Sequence, residues 1–239
     1  MQRYFVSKVN DKFVLSDNDF HHIKNVMRIK NNDHIVCVYD NHSYICQINY
    51  IANNYELNII EEITKDVELN KQVILYQALI KNDKFDLVIQ KSTELGVSTI
   101  VPTVFSRSVV KVDDSKKDNK LFRYEKIVKE ACEQSRRQSL PFIDNYTKVK
   151  NIKLDDDTLG LIAYENNGDY KSLSNALNEL DKYNKVAIVI GPEGGFSEDE
   201  VSYLQSIGFK NVSLGKRILR SETASMYLLS VLAFYIEGK

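Results

Sequence analysis

Two short segments near the C-terminus gather residues whose types and spacing could do chemistry. They are Gly191-Pro192-Glu193-Gly194-Gly195-Phe196-Ser197 and Leu214-Gly215-Lys216-Arg217-Ile218-Leu219-Arg220-Ser221-Glu222-Thr223-Ala224. Three of the nine glycines fall in the first. Backbone without side chains can bend sharply or let a ligand come close. The first segment has no lysine placed to reach a β- or γ-phosphate, and it lacks the glycine order of a dinucleotide fingerprint. Glu193 at its apex would repel phosphate. A ligand here is therefore neutral or cationic near the loop, with its polar edge met by backbone N–H and C=O groups. A plain tight turn is the competing reading, and a second such segment weighs against it. In the second segment Arg220 can stabilise negative charge growing on a ligand oxygen, although it cannot act as an ordinary base.

Both segments follow apolar, β-branched runs, Val186–Ile190 and Val212–Leu214, and both lead into helical patterns. From Val73 onward, strands and helices alternate. Apolar strands are read at 73–79, 98–101, 159–163 and 186–190, with helices at 82–95, 121–137, 172–180 and after Ser197. Asn82 is read as the cap of the first of these helices, and Gly96 ends it. Ser197 and Glu200 form a capping box. Gly208 ends the helix they start, and Ser221–Ile236 forms a closing apolar helix. Such alternation implies an α/β fold with a mostly parallel sheet, whose ligands bind at the carboxyl ends of its strands. The charge-dense stretch Lys111–Lys120 reads as a mobile loop.

Residues 1–70 have a different rhythm. Short alternating runs at Lys12–Leu15, Ile35–Tyr39, Ser43–Ile48 and Tyr55–Ile60 are separated by turns at Asp40-Asn41-His42 and Ala52-Asn53-Asn54. One helical pattern interrupts them, capped at Ser16 or Asp17, with Phe20, Ile23, Val26 and Met27 on one face. This is a small β-barrel-like module with one helix. Through Asn70 it holds seven Lys/Arg against ten Asp/Glu, and its basic cluster is Lys24, Arg28 and Lys30.

The 239 residues suffice for one large or two modest domains, 43% hydrophobic and 27% charged. No apolar run reaches membrane-spanning length and no signal-peptide core opens the chain. Cys37, Cys46 and Cys132 have neither disulfide-framework nor zinc spacing, and His21 and His22 lack a third ligand. The expectation is therefore a reduced cytoplasm and no metal. With a net charge of −1, any nucleic-acid surface must be a local patch.

Five motifs occur in order: Lys81, Lys84, Asp86, Ile89–Lys91 and Thr93–Val97; Arg107–Val109; Glu130–Arg137; the glycine segment; and Leu214–Ala224. Together they resemble the 16S ribosomal RNA (uracil-N3)-methyltransferase family of the SPOUT class, over essentially the whole chain. The resemblance implies a PUA-like RNA-binding β-barrel domain over 1–70 and a SPOUT α/β trefoil-knot methyltransferase domain over 73–239, with knot loops near 191–197 and 214–223. It implies S-adenosyl-L-methionine as cofactor, whose sulfonium cation and lack of phosphate suit the glycine loop. Ile190, Gly191, Pro192, Glu193, Gly194, Gly195, Leu214, Gly215, Ile218 and Leu219 would hold it. The substrate would be 16S rRNA in the small ribosomal subunit.

Catalysis would fall to Arg220, Glu222 and Thr223. Uracil N3 is an imide nitrogen that must lose its proton, and Arg220 would stabilise the anion. Glu222 would position Arg220, or it is merely a favourable charge in a helix first turn. Arg217 is the runner-up cation. Arg3, Lys24, Arg28, Lys30, Arg107, Gln134 and Arg137 would contact RNA, while Arg136 stands where a glycine is common in that family. Homodimers are implied, and the apolar final helix would serve either that interface or its own sheet. The competing functions are SPOUT methylation of another RNA, such as tRNA, and non-catalytic RNA binding. An intact glycine loop and Arg220 argue against the latter.

Overall fold

The computed structural model describes residues 1–52, 54–110, 114–164 and 172–238. Two compact units divide the chain: residues 1–68 with 129–140, and residues 69–128 with 141–239.

In the first unit β1 (Arg3–Phe5) pairs in parallel with β4 (His34–Tyr39), and antiparallel β5 (His42–Ile51) and β6 (Asn54–Ile63) complete a four-stranded sheet. A separate hairpin joins β2 (Ser7–Val9) to β3 (Lys12–Val14). The alternation in β5 and β6 buries Cys46, Ile48 and Leu57 with Tyr4, Ile35 and Cys37. The short β1 and β2 carry too little alternating pattern to be read from sequence. Helix α1 (Asp17–His21) is capped by Ser16, whose Oγ accepts from the Asp19 N–H, and it continues as a π-helical turn over His22–Val26. Widening the turn rotates the expected apolar face. Ile23 stays buried, but Val26 and Met27 are exposed, contrary to the simple helical reading. Asn32 adopts a left-handed φ of 68°, the conformation that asparagine tolerates best after glycine.

The second unit is a seven-stranded parallel sheet. Strands β7 (Gln72–Ala78), β8 (Thr99–Val104), β9 (Phe142–Ile143), β10 (Thr147–Lys148), β11 (Thr158–Ala163), β12 (Lys185–Ile190) and β13 (Lys210–Val212) lie in the order β10-β8-β7-β12-β11-β13, with β9 also pairing β8. Val186–Ile190 are all buried, which is why β12 reads as an unbroken apolar run and sits centrally. The helices are α2 (Asn82–Glu94), α3 (Lys117–Ser135), α4 (Ser172–Leu177), α5 (Glu198–Ser206) and α6 (Ser221–Glu237). The Asn82 side chain and residues 111–113 lie outside what is described. From Asp114 the supposed mobile loop is helical, first as a 3₁₀ turn and then as α3, because its lysines are good helix formers. The C-terminal part of α3, from Lys129, belongs to the first unit.

Candidate active site

The carboxyl ends of three neighbouring strands define the site. Ala163, Ile190 and Val212, at or next to the ends of β11, β12 and β13, line a cavity of about 560 Å³. The loops that follow β12 and β13 supply most of its wall. Of the ten expected cofactor residues, Ile190, Gly191, Pro192, Glu193, Gly195, Leu214, Gly215, Ile218 and Leu219 line it, together with Arg217 and Arg220. Gly194 does not.

The glycines have separable roles. Gly195 (φ 70°) and Gly215 (φ 111°) occupy the left-handed region, and a Cβ on either would meet nothing within 4 Å. Their use is conformational, and they leave open space beside backbone, as a ligand cradle requires. Gly195 N–H closes the turn onto Pro192 O at 2.9 Å. At Gly194 a Cβ would lie 2.9 Å from the Arg107 carbonyl oxygen, and at Gly191 it would lie 2.7 Å from the Phe196 ring. These two permit close packing inside the protein.

That packing is reinforced by polar contacts. Arg107 Nη1 donates to Phe196 O at 2.8 Å, so this expected RNA contact braces the cavity wall. Glu200 closes the capping box with Ser197, and its Oε1 accepts from the Ser106 N–H at 2.7 Å. Phe196 sits edge-on to Phe105 and Tyr164.

A buried network that the sequence reading missed ties the loop after β12 to the start of α6. Gln77, fully buried near the end of β7, donates through Nε2 to Ser221 Oγ at 3.0 Å. Ser221 Oγ donates to Gly191 O at 2.8 Å, and Ser225 Oγ donates to Gln77 Oε1. The first carbonyl of the glycine loop is thereby fastened to the start of α6, immediately beyond Arg220.

Arg220 is exposed, occupies the N-cap position of α6 and borders the cavity. Glu222 is buried and its Oε1 pairs with Lys84 Nζ at 2.9 Å. Burial works against its ionisation. Its backbone N–H, Lys84 and the Arg220 charge outweigh that and hold the carboxyl below its ordinary range. Lys84 is the direct partner, while Arg220 acts on Glu222 only through space. Thr223 is exposed in the first turn of α6.

Lys24, Arg28, Lys30 and Gln134 are exposed. Arg137 is not: it is 5% exposed and donates through Nε and Nη2 to Glu68 Oε2, at 3.0 and 2.6 Å. The expectation of an RNA contact at Arg137 is corrected to an internal brace, since its fork is committed to a carboxylate. On α6 Leu228, Leu229, Leu232 and Ile236 are buried, whereas Phe234 is 78% exposed and Tyr227 lies on the same stripe, so the helix is only partly spent on its own unit. Among the described residues no helix is long and apolar enough to cross a membrane, and no three His, Cys, Asp or Glu side chains are grouped to hold a metal.

A parallel α/β sheet with a cavity at its strand carboxyl ends is the architecture of a small-ligand-binding α/β enzyme, and the comparisons with known proteins specify the class as RNA methyltransferase. Residues 67–233 match the family model of the RNA methyltransferase domain, and residues 8–61 match that of the RNA methyltransferase PUA domain. The chain is 35% identical to ribosomal RNA small subunit methyltransferase E of Bacillus subtilis, covering 99% of this chain and 98% of that one. Its counterpart in Mesomycoplasma hyopneumoniae is also 35% identical, over 96% and 98%. The crystal structure of the Neisseria gonorrhoeae methyltransferase E bound to S-adenosyl methionine superposes with a TM-score of 0.82 at 29% identity, over 97% of this chain and 96% of that one. The chain belongs to the ribosomal RNA small subunit methyltransferase E family.

Proposed function

We propose that this chain methylates N3 of a uridine in the 16S rRNA of the small ribosomal subunit, using S-adenosyl-L-methionine. The observation that carries the reading is the cavity at the ends of β11, β12 and β13, with Gly195 and Gly215 open toward space and Arg220 at its edge. These features fit the cofactor. The cavity is of small-ligand size, Gly191, Gly195 and Gly215 in its wall expose backbone, and the Glu193 carboxylate suits a cation better than a phosphate. When bound, S-adenosyl-L-methionine supplies an electrophilic methyl group on a sulfonium centre. Ile190–Glu193, Gly195, Leu214, Gly215, Ile218 and Leu219 would hold it.

Arg220 has the chemical task that remains. As the imide proton leaves N3, negative charge spreads onto the flanking uracil oxygens. A planar guanidinium beside them stabilises that anion. The N-terminus of α6, where Ser221 and Ala224 border the cavity, adds its positive dipole end to the same region. Lys84 and Glu222 fix the first turn of α6, and Gln77 fixes Ser221, so Arg220 projects from an immobilised base. Preorganisation of this kind is what makes a charge catalytic.

In the same reading the protein works in the cytoplasm as a homodimer. Exposed Tyr227 and Phe234 on α6 and the 88% exposed Ile218 beside the cavity support a partner subunit that covers them. The test is nucleoside mass spectrometry of 16S rRNA from a strain lacking the gene. N3-methyluridine should disappear and return with the wild-type gene, but not with Arg220→Ala. Persistence of N3-methyluridine in 16S rRNA of the deletion strain refutes the proposal.

A further inference from the structure

The loop that follows β8, residues 105–108, grips the glycine turn at several points. Arg107 holds it twice. Its Nη1 donates to Phe196 O at 2.8 Å, and a Cβ on Gly194 would lie 2.9 Å from its own carbonyl oxygen. These two contacts flank Gly195, which lines the cavity and keeps a left-handed φ of 70°. The neighbours of Arg107 secure the same turn. Glu200 Oε1 accepts the Ser106 N–H at 2.7 Å, while its Oε2 accepts the Ser197 N–H at 2.9 Å. One carboxylate thus joins the loop to the residue after Phe196. The Phe105 ring meets the Phe196 ring edge-on at 5.4 Å, and Ser108 Oγ accepts the Phe105 N–H at 3.2 Å to close the loop on itself.

A Gly-Gly turn has more backbone freedom to lose than any other pair, so an unanchored one would be ordered at the expense of ligand affinity. Fixing the turn beforehand removes that cost from the binding step. A guanidinium donating to a carbonyl is a charge-assisted bond, stronger than one between neutral groups. We propose that Arg107 is a positioning residue that presets the glycine turn for S-adenosyl-L-methionine, and that its role is this rather than contact with RNA. The inference rests on the cofactor reading given above and adds a residue that sets cofactor affinity from outside the two loop segments.

Calorimetry of the full-length protein with S-adenosyl-L-methionine, without RNA, tests this. Losing one charge-assisted bond of this kind corresponds to about tenfold in affinity. Arg107→Gln should weaken cofactor binding by about that factor. Arg107→Lys keeps the charge but not the planar fork, and should recover only part of the loss. Hydrogen exchange in Arg107→Gln should quicken at the Gly195 and Ser197 amides, whose bonds to Pro192 O and Glu200 Oε2 close the turn, and stay at wild-type rates in α6. In methylation assays the loss should appear as a raised KM for cofactor, with kcat much less affected. The salt slope of RNA binding, followed by fluorescence anisotropy with a 16S rRNA transcript, should match the wild type. Loss of a phosphate contact would instead lower that slope by about 0.7 to 0.9. Wild-type cofactor affinity in Arg107→Gln would overturn the inference, as would a lowered salt slope with cofactor affinity intact. A wild-type protein that binds no S-adenosyl-L-methionine would reject the cofactor reading and the inference with it, a failure told apart because the unmutated chain already shows it.

Discussion

Glu133 makes the folded state of the first unit sensitive to pH. It lies on the C-terminal part of α3, with Oε1 3.7 Å from Lys129 Nζ and without a hydrogen-bond partner. Lys129 gives its ammonium to both oxygens of Asp19 at 2.6 Å. Burial pushes the Glu133 carboxyl from 4.5 up to about 7, the Lys129 charge opposes this, and Asp19 and Glu130 add to it. The folded protein therefore binds a proton on Glu133 more tightly than the unfolded chain does. Its contribution is fully present below about pH 4.5 and is lost as pH rises through about 7. At about 1.36 kcal/mol per pKa unit the full effect is about 3 kcal/mol, reduced toward about 1–2 kcal/mol by the side chain's partial access to water. Glu133→Gln removes the titration while keeping size and polarity. Denaturant unfolding of wild type and variant, followed by circular dichroism from pH 4.5 to 8, isolates this group because all others cancel in the difference. The variant should be roughly as stable as wild type near pH 4.5 and about 1–2 kcal/mol more stable at pH 8. A difference that stays flat across this window refutes the reasoning.

Gly195→Val places a β-branched residue at φ 70° and should abolish S-adenosyl-L-methionine binding measured by calorimetry. Gly194→Ala should weaken cofactor binding indirectly by pressing on the Arg107 carbonyl, with a displaced 105–108 loop visible in a crystal structure. Arg137→Ala leaves Glu68 half-buried beside a lost partner and should cost about 3–5 kcal/mol in denaturant unfolding. An unchanged midpoint there would show that the pair does not brace the unit. Gln77→Leu removes the donor to Ser221 Oγ and the acceptor of Ser225 Oγ, and should lower the methylation rate at saturating cofactor in protein that stays folded. An unchanged rate would show that the network does not position Arg220.

What the sequence made legible was local. The apolar run of β12, the Ser197–Glu200 capping box and the turn at Asp40-Asn41 each leave a pattern within a few residues. The cavity wall was legible too, because its residues cluster in two short segments. Contacts between distant residues leave no such trace. Gln77 meets Ser221 across 144 positions, Glu68 meets Arg137 across 69, and Lys84 meets Glu222 from another helix. For that reason Arg137 read as one of several cations near a helix end, and its carboxylate stayed hidden. The division of labour between Gly194 and Gly195 depends on backbone angles that composition does not encode.

In the proposed mechanism Arg220 stabilises charge in the transition state more than it binds either substrate. Single-turnover methylation of assembled small ribosomal subunits at saturating cofactor tests it most directly, with RNA and cofactor affinities measured separately. Losing one preorganised donor should slow Arg220→Ala about 100- to 1,000-fold while both affinities stay near wild type. Arg220→Lys should recover little, because a point charge on a flexible stem does not reproduce a planar fork. A single-turnover rate that survives in Arg220→Ala, with RNA or cofactor affinity lost instead, would make Arg220 a binding contact and contradict the claim.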